Sequence, residues 1–255
     1  MTETASPGRE RGAALVTGGA KRIGRAICLE LAAAGFDLAI HHRDSDAEAA
    51  EVARAVETMG RRAVCLSADL ADVVATHDLI GRAVEALGPL SVLVNNASIF
   101  ADDRLESLTG ESWSAHLDVN LRAPVLLAQT FAAQAPDGSA IINILDQRVL
   151  KPDPRFFSYG LSKSALWSAT RTMAQALAPR IRVNGVGPGP TLPSVHQTPE
   201  EFEAEARATL LQHAGRPEAV AAAVRWLVDA DLVTGQMIAV DGGQHLAWQT
   251  PDILE

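Results

Sequence analysis

The chain is poor in aromatic residues, in cysteine and in long apolar runs. Aromatic residues make up 4% of its 255 residues, and there is one tyrosine, Tyr159. So few rings leave little surface for stacking bases, which argues against a binder of single-stranded nucleic acid. The two cysteines, Cys28 and Cys65, lie in apolar runs without metal-ligand spacing. We therefore expect reduced core cysteines and no metal site.

Basic residues are outnumbered by acidic ones. The 22 Lys and Arg against 31 Asp and Glu give a formal net charge of −9, which disfavours a nucleic-acid partner. The first residues, MTETASPGRERG, are polar and contain no apolar signal segment, and no stretch resembles a membrane span. We expect a soluble cytoplasmic protein with a disordered tail over residues 1–11 and no membrane partner.

The order of the elements indicates an α/β fold. Hydrophobic residues form 47% of the chain, enough for a sizeable core. Short β-favouring runs alternate with helical patterns at βαβ spacing, which predicts one domain over residues 12–255. Its predicted architecture is a Rossmann-like, doubly wound parallel sheet with helices on both faces. The expected strands are 13–16, 38–41, 63–66, 91–94, 141–145, 181–184 and 237–240, and the expected helices are 22–34, 46–59, 75–87, 109–134, 158–178, 198–212 and 219–227.

A glycine-rich turn follows the first strand directly and reads TGGAKRIG over residues 17–24. Strand, glycine turn and helix are the context in which such a motif binds a phosphate, since glycine lets the backbone approach and the helix N-terminus offers free N–H groups. The alternative is a tight turn that binds nothing. The candidate cofactor residues in the turn are Gly18, Lys21, Arg22, Ile23 and Gly24.

The end of the second strand bears on the choice of cofactor. A basic residue there suits the 2′-phosphate of NADP, whereas an acidic residue suits the ribose hydroxyl of NAD. His42 and Arg43 come first, which favours NADP(H). Asp44 opposes this choice unless its carboxylate points away, for instance to cap the helix that begins near Asp46.

Polar residues follow several other predicted strands at their carboxyl ends, where ligands of parallel sheets bind. Asp69 and Leu70 follow the third strand, and Asn95 ends the fourth. A long helical stretch, 109–134, carries Asn120 near its middle, which indicates a kink or a functional contact because asparagine is a poor interior helix residue. Residues 185–193 read as a glycine- and proline-rich loop that includes Pro188 and Gly189, followed by a charged helix that could form a lid.

The clearest chemical pattern spans residues 141–163. A buried strand ends at Asp146, and Tyr159 and Lys163 follow with helical spacing that places phenol and ammonium one turn apart. A tyrosine, a lysine and an acid brought together are suited to moving a proton.

From Ala13 to Gly243 the chain resembles a short-chain dehydrogenase/reductase. The matching motifs are the glycine turn, Asp69-Leu70, Asn95-Asn96-Ala97, Asn120, Tyr159-x-x-x-Lys163 and Pro188-Gly189. The resemblance implies that Tyr159 donates the proton and that Lys163 binds the nicotinamide ribose and lowers the tyrosine pKa. It also implies that Asn120 positions a water and that Asp69 contacts the adenine. Further implied cofactor contacts are Leu70, Asn95, Ala97, Pro188 and Gly189.

Two departures from the family pattern resemble the pteridine reductase branch, including bacterial dihydromonapterin reductases. Arg22 stands where the family usually has glycine, and Asp146 stands thirteen residues before the tyrosine, where the family has its catalytic serine. This resemblance implies a pterin substrate bound by Arg22, Ser98, Phe100, Asp146 and Tyr159, with Phe100 stacked on the ring. A carboxylate at position 146 would repel the oxyanion of a carbonyl substrate but can serve C=N reduction.

Three functions follow from these residues. The first is NADPH-dependent reduction of a dihydropterin-like C=N bond, and the second is reduction of a carbonyl such as a 3-oxoacyl thioester. The third is a catalytically silent NADP-binding protein, which intact Asn120, Tyr159 and Lys163 disfavour. The resemblance also implies a homotetramer, and Trp248 near the C-terminus is expected to pack either on a neighbouring subunit, near that subunit's active site, or on its own domain.

Overall fold

The computed structural model describes residues 11–194 and 197–249. Over these residues seven strands form one parallel sheet: β1 Ala13–Val16, β2 Asp37–His42, β3 Ala63–Ser67, β4 Leu90–Asn95, β5 Ser139–Ile144, β6 Ile181–Pro188 and β7 Met237–Val240. Their order is β3-β2-β1-β4-β5-β6-β7. The order reverses between β1 and β4, and such a switch point opens a crevice at the carboxyl ends of the strands.

The helices connect these strands and cover both faces of the sheet. Their bounds are α1 Arg22–Ala33, α2 Asp46–Thr58, α3 Val73–Leu87, α4 Gly110–Leu117, α5 Ala123–Gln134, α6 Phe157–Leu177, α7 Pro199–Arg207 and α8 Pro217–Asp229.

The core lies in two layers, one on each face of the sheet. Successive side chains of a strand point to opposite faces. Ala14 and Val16 of β1 accordingly pack in a buried cluster with α1, α2 and α8. Ala13 and Leu15 pack in the other cluster, with α3, α5 and α6. Because both faces are buried, the strands are nearly continuous apolar runs, and the predicted fold class is confirmed.

The predicted long helix over 109–134 is interrupted at its middle. α4 ends at Leu117, a π-helical turn spans Asp118–Arg122, and α5 continues to Gln134. Asn120 lies in the π turn and is fully buried. Such turns are frequent at functional sites, and this one interrupts the helix at the position that Asn120 indicated.

Two other expectations on the element bounds were wrong. The sixth strand does not end at residue 184, because Gly185 to Pro188 pair with Met237 to Val240 of β7 and so extend β6 into the predicted loop. The charged helix is shorter than 198–212. It begins at a capping box of Thr198 and Glu201 and ends at Arg207.

The ends of the described chain carry two further details. Arg11, which the sequence prediction placed in the tail, pairs with Asp229 and lies over the ring of Phe36. Residues 1–10 of the predicted tail lie outside the described residues. Trp248 is 61% exposed, and its packing on a neighbouring subunit or on its own domain stays a prediction. Among the described residues, no helix has both the length and the apolar character that crossing a membrane requires.

Candidate active site

The glycine turn joins β1 to α1 as a compact cradle. A Cβ on Gly24 would lie 2.0 Å from the carbonyl oxygen of Gly18, so only glycine fits there. The side chain of Asn96 donates to the carbonyls of Thr17 and Gly18 at 2.8 and 3.1 Å and fixes the turn against β4. No side chain caps the N-terminus of α1, and its first turn carries no acidic residue. Its N–H groups and positive dipole end therefore suit an anion.

Arg22 adopts an unusual backbone conformation within this turn. Its φ of 52° lies in the left-handed region that favours glycine, the residue usual at this position in the family it resembles. The guanidinium donates to the carbonyls of Pro193 and Leu192 at 3.0 and 3.2 Å. Arg22 therefore ties the glycine turn to the segment that follows β6, across the mouth of the crevice.

His41, at the end of β2, supports the turn from below. Its Nδ1 accepts the N–H of Gly18 at 3.1 Å, and its Nε2 lies 3.1 Å from the carbonyl of Ala68. Since a carbonyl only accepts, the proton lies on Nε2. Burial lowers the pKa of His41 to about 4, which keeps the ring neutral.

The next three residues show how the end of β2 meets solvent. His42 is buried, accepts the N–H of Ser45 at 3.3 Å and lies 4.0 Å from Asp46. The Arg43 side chain is 62% exposed and pairs with Asp44 at 2.8 Å. The expected cap by Asp44 was wrong, because Ser45 precedes α2 and the Asp44 carboxylate pairs with Arg43 instead. Of His42 and Arg43, the two basic residues predicted at the end of this strand, only Arg43 is exposed to a ligand.

The predicted adenine-side residues follow β3. Asp69 is exposed, and its carboxylate accepts the N–H of Ala71 at 2.9 Å. Leu70 is buried and packs in the core with α3. Lys21, at the opposite side of the turn, is exposed and pairs with Glu48 at 2.7 Å.

The ends of β4 and β5 are joined by buried amides. Asn95 is 3% exposed and donates to Asn143 at 2.8 Å, while its own Oδ1 has no partner. Ala97 follows closely, and its N–H donates to the hydroxyl of Thr17 at 3.0 Å. Asn95 therefore lies beneath the crevice floor, and Asn96 is the residue that contacts the glycine turn.

Tyr159, Asp146 and Lys163 meet where β5 ends beside α6. The phenol of Tyr159 donates to the carboxylate of Asp146 at 2.8 Å, and the ammonium of Lys163 donates to the carbonyl of Ile144 at 2.8 Å. Tyr159 and Lys163 are 6% and 2% exposed, so the acid and the cation are both withdrawn from bulk water. The predicted catalytic group is therefore assembled in this chain.

Burial and the neighbouring charges set the protonation of this group. Burial, and then the charge and hydrogen bond of Asp146, raise the pKa of Tyr159 well above its ordinary value of 10.0, and the positive charge of Arg148 does not offset them. The lowering by Lys163 that the resemblance implies stays a prediction. Burial also lowers the pKa of Lys163 to about 8. A protonated phenol is the form that a general acid requires.

Asn120 holds the loop that follows β4. Its amide nitrogen donates to Ile99 and to Ser162 at 3.0 Å, and its oxygen accepts from the N–H of Ile99 at 2.8 Å and from Ser98 at 3.1 Å. Two donated and two accepted bonds fill the capacity of an amide. The Asn120 side chain therefore positions the segment that leads to Phe100, and its implied role in positioning a water stays a prediction.

Phe100 lies in an aromatic and cationic cluster. Its ring stacks on Phe156 at 4.3 Å between centroids and meets Tyr159 edge-on at 4.7 Å. Arg148 lies 5.7 and 5.5 Å from the centroids of the Phe100 and Phe156 rings. The same arginine donates its main-chain N–H to Asp146 at 2.8 Å and its guanidinium to that carboxylate at 3.3 Å.

Pro188 and Gly189 close the crevice at the end of β6. The N–H of Gly189 donates to the carbonyl of Val240 at 3.1 Å, and a Cβ on Gly189 would lie 2.6 Å from the Cα of Asp241. Glycine is therefore required for the close approach of β6 to the segment after β7. Val195 and His196, which lie between the predicted glycine- and proline-rich loop and the charged helix in the sequence, are outside the described residues.

A cavity of about 1160 Å³ connects these parts. Among the predicted site residues, those that line it are Arg22, Ile23, Ser98, Phe100, Asp146, Tyr159, Lys163, Pro188 and Gly189. The other predicted residues lie in the glycine turn, along the ends of β2 and β3, or beneath the floor: Gly18, Lys21, Gly24, His42, Arg43, Asp69, Leu70, Asn95, Ala97 and Asn120. Among the described residues there is no cluster of His, Cys, Asp and Glu that could hold a metal ion.

Sequence reasoning missed three residues that build the site: His41, Arg148 and Phe156. The sequence contains one weak signal for Arg148. It lies two residues after Asp146, close enough along the chain for its guanidinium to fold back and pair with that carboxylate. Phe156 has a φ of 54°, and nothing in the sequence indicates a left-handed phenylalanine or its stacking partner.

Comparisons with known proteins agree with this geometry. A family model described as enoyl-(acyl carrier protein) reductase matches residues 18–245. A short-chain type dehydrogenase/reductase of Picea abies is 32% identical over 91% of this chain and 91% of its own length. An uncharacterized oxidoreductase of Methylorubrum extorquens is 34% identical over 90% of this chain and 96% of its own length.

A solved structure is more similar still. FolM alternative dihydrofolate reductase 1 from Brucella canis, complexed with NADP, is 47% identical, with a TM-score of 0.92 over 96% of this chain and 98% of that one. These matches confirm the resemblance carried by the glycine turn and by Tyr159 and Lys163. The chain belongs to the short-chain dehydrogenase/reductase family of oxidoreductases.

Proposed function

We propose that the protein is an NADPH-dependent reductase of a dihydropterin-like substrate, whose C=N bond it reduces to the tetrahydro form. The observation that carries the proposal is the bond from the Tyr159 phenol to the Asp146 carboxylate at the end of β5. The family's usual serine at this position has no carboxylate. The similar Brucella canis protein is an alternative dihydrofolate reductase, which supports a reduced pterin as the substrate class.

The glycine turn supports NADP(H) as the cofactor. The uncapped N-terminus of α1 offers N–H groups for a pyrophosphate, and the glycine positions leave no Cβ in its way. Arg43 and Lys21 lie at the surface beside the turn, and each pairs with a carboxylate. Exposed ion pairs are weak, so both cations can turn to a 2′-phosphate at little cost.

The residues around the cavity can then divide the chemistry. When bound, NADPH would supply the hydride for the carbon of the C=N bond, and the product nitrogen would need one proton. Tyr159, which burial and Asp146 keep protonated, donates its phenolic proton to that nitrogen. Asp146 orients the phenol and accepts hydrogen bonds from the N–H groups of the substrate ring. Lys163 fixes the end of β5 and supplies a cation for the nicotinamide ribose. Phe100, backed by Phe156, forms an apolar wall for a flat ring.

A carbonyl reductase is the second candidate, and one contact favours it. The guanidinium of Arg148 lies 3.3 Å from the Asp146 carboxylate and offsets part of its charge. That offset weakens the repulsion that a carboxylate exerts on a developing alkoxide. A ketone or an oxoacyl thioester is therefore the substrate class to compare with a pterin.

The test follows NADPH oxidation by absorbance with purified protein. Dihydrobiopterin, dihydromonapterin and dihydrofolate are compared with an acetoacetyl thioester and a quinone. We expect turnover of the reduced pterins and little of the carbonyl compounds. Turnover of the thioester or quinone alone would contradict the pterin proposal, and NADPH binding without any turnover would contradict both candidates.

Substitution of Asp146 sharpens the test. Asp146→Ser should lower kcat/KM for the pterin about 100-fold, because the proton-handling pair is lost, while the NADPH Kd stays within about twofold. Asp146→Asn keeps the shape and removes the acid, so it should lose nearly as much activity. Asp78→Asn, an exposed carboxylate on α3 that does not line the cavity, is the matched control and should behave like the unaltered protein.

A further inference from the structure

A buried polar network lies beside the active site without lining its cavity. His116, on α4, is 1% exposed, and it contacts the Ser158 hydroxyl, which in turn donates to Asp103. Ser158 and Asp103 are 0% and 5% exposed. None of the three lines the cavity, and the roles assigned above use none of them.

The imidazole of His116 joins three segments of the chain. Its Nε2 accepts the N–H of Ala101 at 3.2 Å. Its Nδ1 lies 2.9 Å from the carbonyl of Ser112, one turn earlier in α4, and 2.7 Å from the Ser158 hydroxyl. The ring therefore bridges α4, the loop after β4 and the start of α6.

The donors and acceptors determine which nitrogen carries the proton. The Ala101 N–H can only donate, so Nε2 must be unprotonated, and the Ser112 carbonyl can only accept, so the proton belongs on Nδ1. Ser158 gives its own proton to Asp103 and accepts from His116. Burial by itself would raise the pKa of Asp103, but its hydrogen bonds from Ser158 and Ser112 lower it, so it is the carboxylate that accepts. A serine that donates to the acid is not activated by the histidine, which excludes a hydrolytic triad.

The segments that His116 joins carry the two rings of the substrate site. Ala101 follows Phe100 directly, and Ser158 precedes Tyr159 directly. The Phe100 and Tyr159 rings are 4.7 Å apart, and the His116 ring lies edge-on to Tyr159 at 6.3 Å. We propose that His116 is a positioning residue that sets the spacing of Phe100 and Tyr159 and thereby the affinity for substrate. The proposal depends on the proposed function only in the choice of substrate.

Two substitutions separate the two contacts of the ring. The amide of glutamine reaches the position of Nε2, and the amide of asparagine reaches that of Nδ1. His116→Gln can still accept from Ala101, whereas His116→Asn leaves that buried N–H without a partner. Because an unpaired buried donor is costly, we expect His116→Asn to raise the substrate KM about tenfold. His116→Gln should keep KM within about twofold of the unaltered protein.

The readouts distinguish positioning from a purely structural role. The NADPH Kd should stay unchanged in both variants, because the glycine turn and β2 do not touch this network. Equal KM values for the two variants, or an effect confined to the melting temperature, would overturn the proposal. If the unaltered protein reduces only a ketone, the same pair is compared with that ketone, so failure of the pterin assignment is kept separate.

A measurement on the unaltered protein covers the case in which a variant does not fold. Histidine labelled with ¹⁵N reports the tautomer of each ring through its long-range proton couplings. We expect the proton of His116 on Nδ1 and that of His41 on Nε2, an internal contrast within one spectrum. A proton on Nε2 of His116 would overturn the proposal, since Ala101 would then have no acceptor.

Discussion

The proposed cofactor half of the crevice, around the glycine turn, and the proposed substrate half, around Phe100, are built in different ways. Around the glycine turn, main-chain groups bind one another or a buried neutral side chain, as Gly18 does with His41. Around Phe100, charged and aromatic side chains from separate loops meet, as Phe100 and Arg148 do. Rigid backbone suits the phosphate of the proposed cofactor, whereas side chains on loops can differ between proteins of one fold that act on different substrates.

The largest expected effect lies in the substrate half. Tyr159→Phe removes the phenolic proton but keeps the ring beside Phe100. We expect kcat to fall about 1000-fold, within the range for loss of a general acid, with an unchanged NADPH Kd by fluorescence titration. If NADPH binding weakened as much as turnover, the two halves would not act separately, and the proposed division of the crevice would be wrong.

The cofactor half offers the converse test in Gly24→Ala. The new Cβ would overlap the Gly18 carbonyl and force the turn open. Forcing an atom into a packed site costs about 1–3 kcal/mol, so the NADPH Kd should rise about 5- to 150-fold. Gly81→Ala is the matched control, because a Cβ at this position of α3 meets nothing within 4 Å. An unchanged Kd in Gly24→Ala would mean that the turn is not the phosphate cradle.

Substitution of Arg43 tests whether the cofactor half of the crevice prefers NADPH to NADH. Arg43→Ala should weaken NADPH binding about tenfold and leave NADH binding unchanged, because a cation at this point interacts only with the 2′-phosphate. Arg54→Ala, an exposed arginine further along α2, serves as the control. Equal losses for both cofactors would show that Arg43 does not read the 2′ position.

The smallest expected effect is a pH dependence of kcat/KM, which involves both halves of the crevice. Burial lowers the pKa of Lys163 from 10.5 to about 8, so its cation is lost as the pH rises through that value. The kcat/KM should therefore fall above pH 8, since this ratio reports groups of the free enzyme. Deprotonation of Tyr159 cannot cause this fall in kcat/KM above pH 8, because the pKa of Tyr159 is raised above its ordinary value of 10.0. Lys163→Arg should remove the fall in kcat/KM above pH 8. If the fall persists in this variant, a group other than Lys163 causes it.

Much of this architecture follows from local pattern. β1, α1 and their glycine turn could be predicted because an apolar run, a glycine motif and a helical period lie next to one another in the chain. Tyr159 and Lys163 could be paired because one helical turn separates them. Gly185 to Pro188 could not be assigned to a strand, since glycine and proline disfavour strands until β7 supplies the pairing partners.

The sequence by itself determined the parallel sheet, the phosphate turn, the identity of the acid at position 146 and its Tyr-Lys partners. The tertiary structure alone decided that Asn120 holds a loop, that Phe156 backs Phe100, that Arg148 shares the Asp146 carboxylate and that burial keeps Tyr159 protonated. These features depend on contacts between segments far apart in the chain and on how fully each side chain is withdrawn from water. Neither the contacts nor the burial is encoded in the spacing of neighbouring residues.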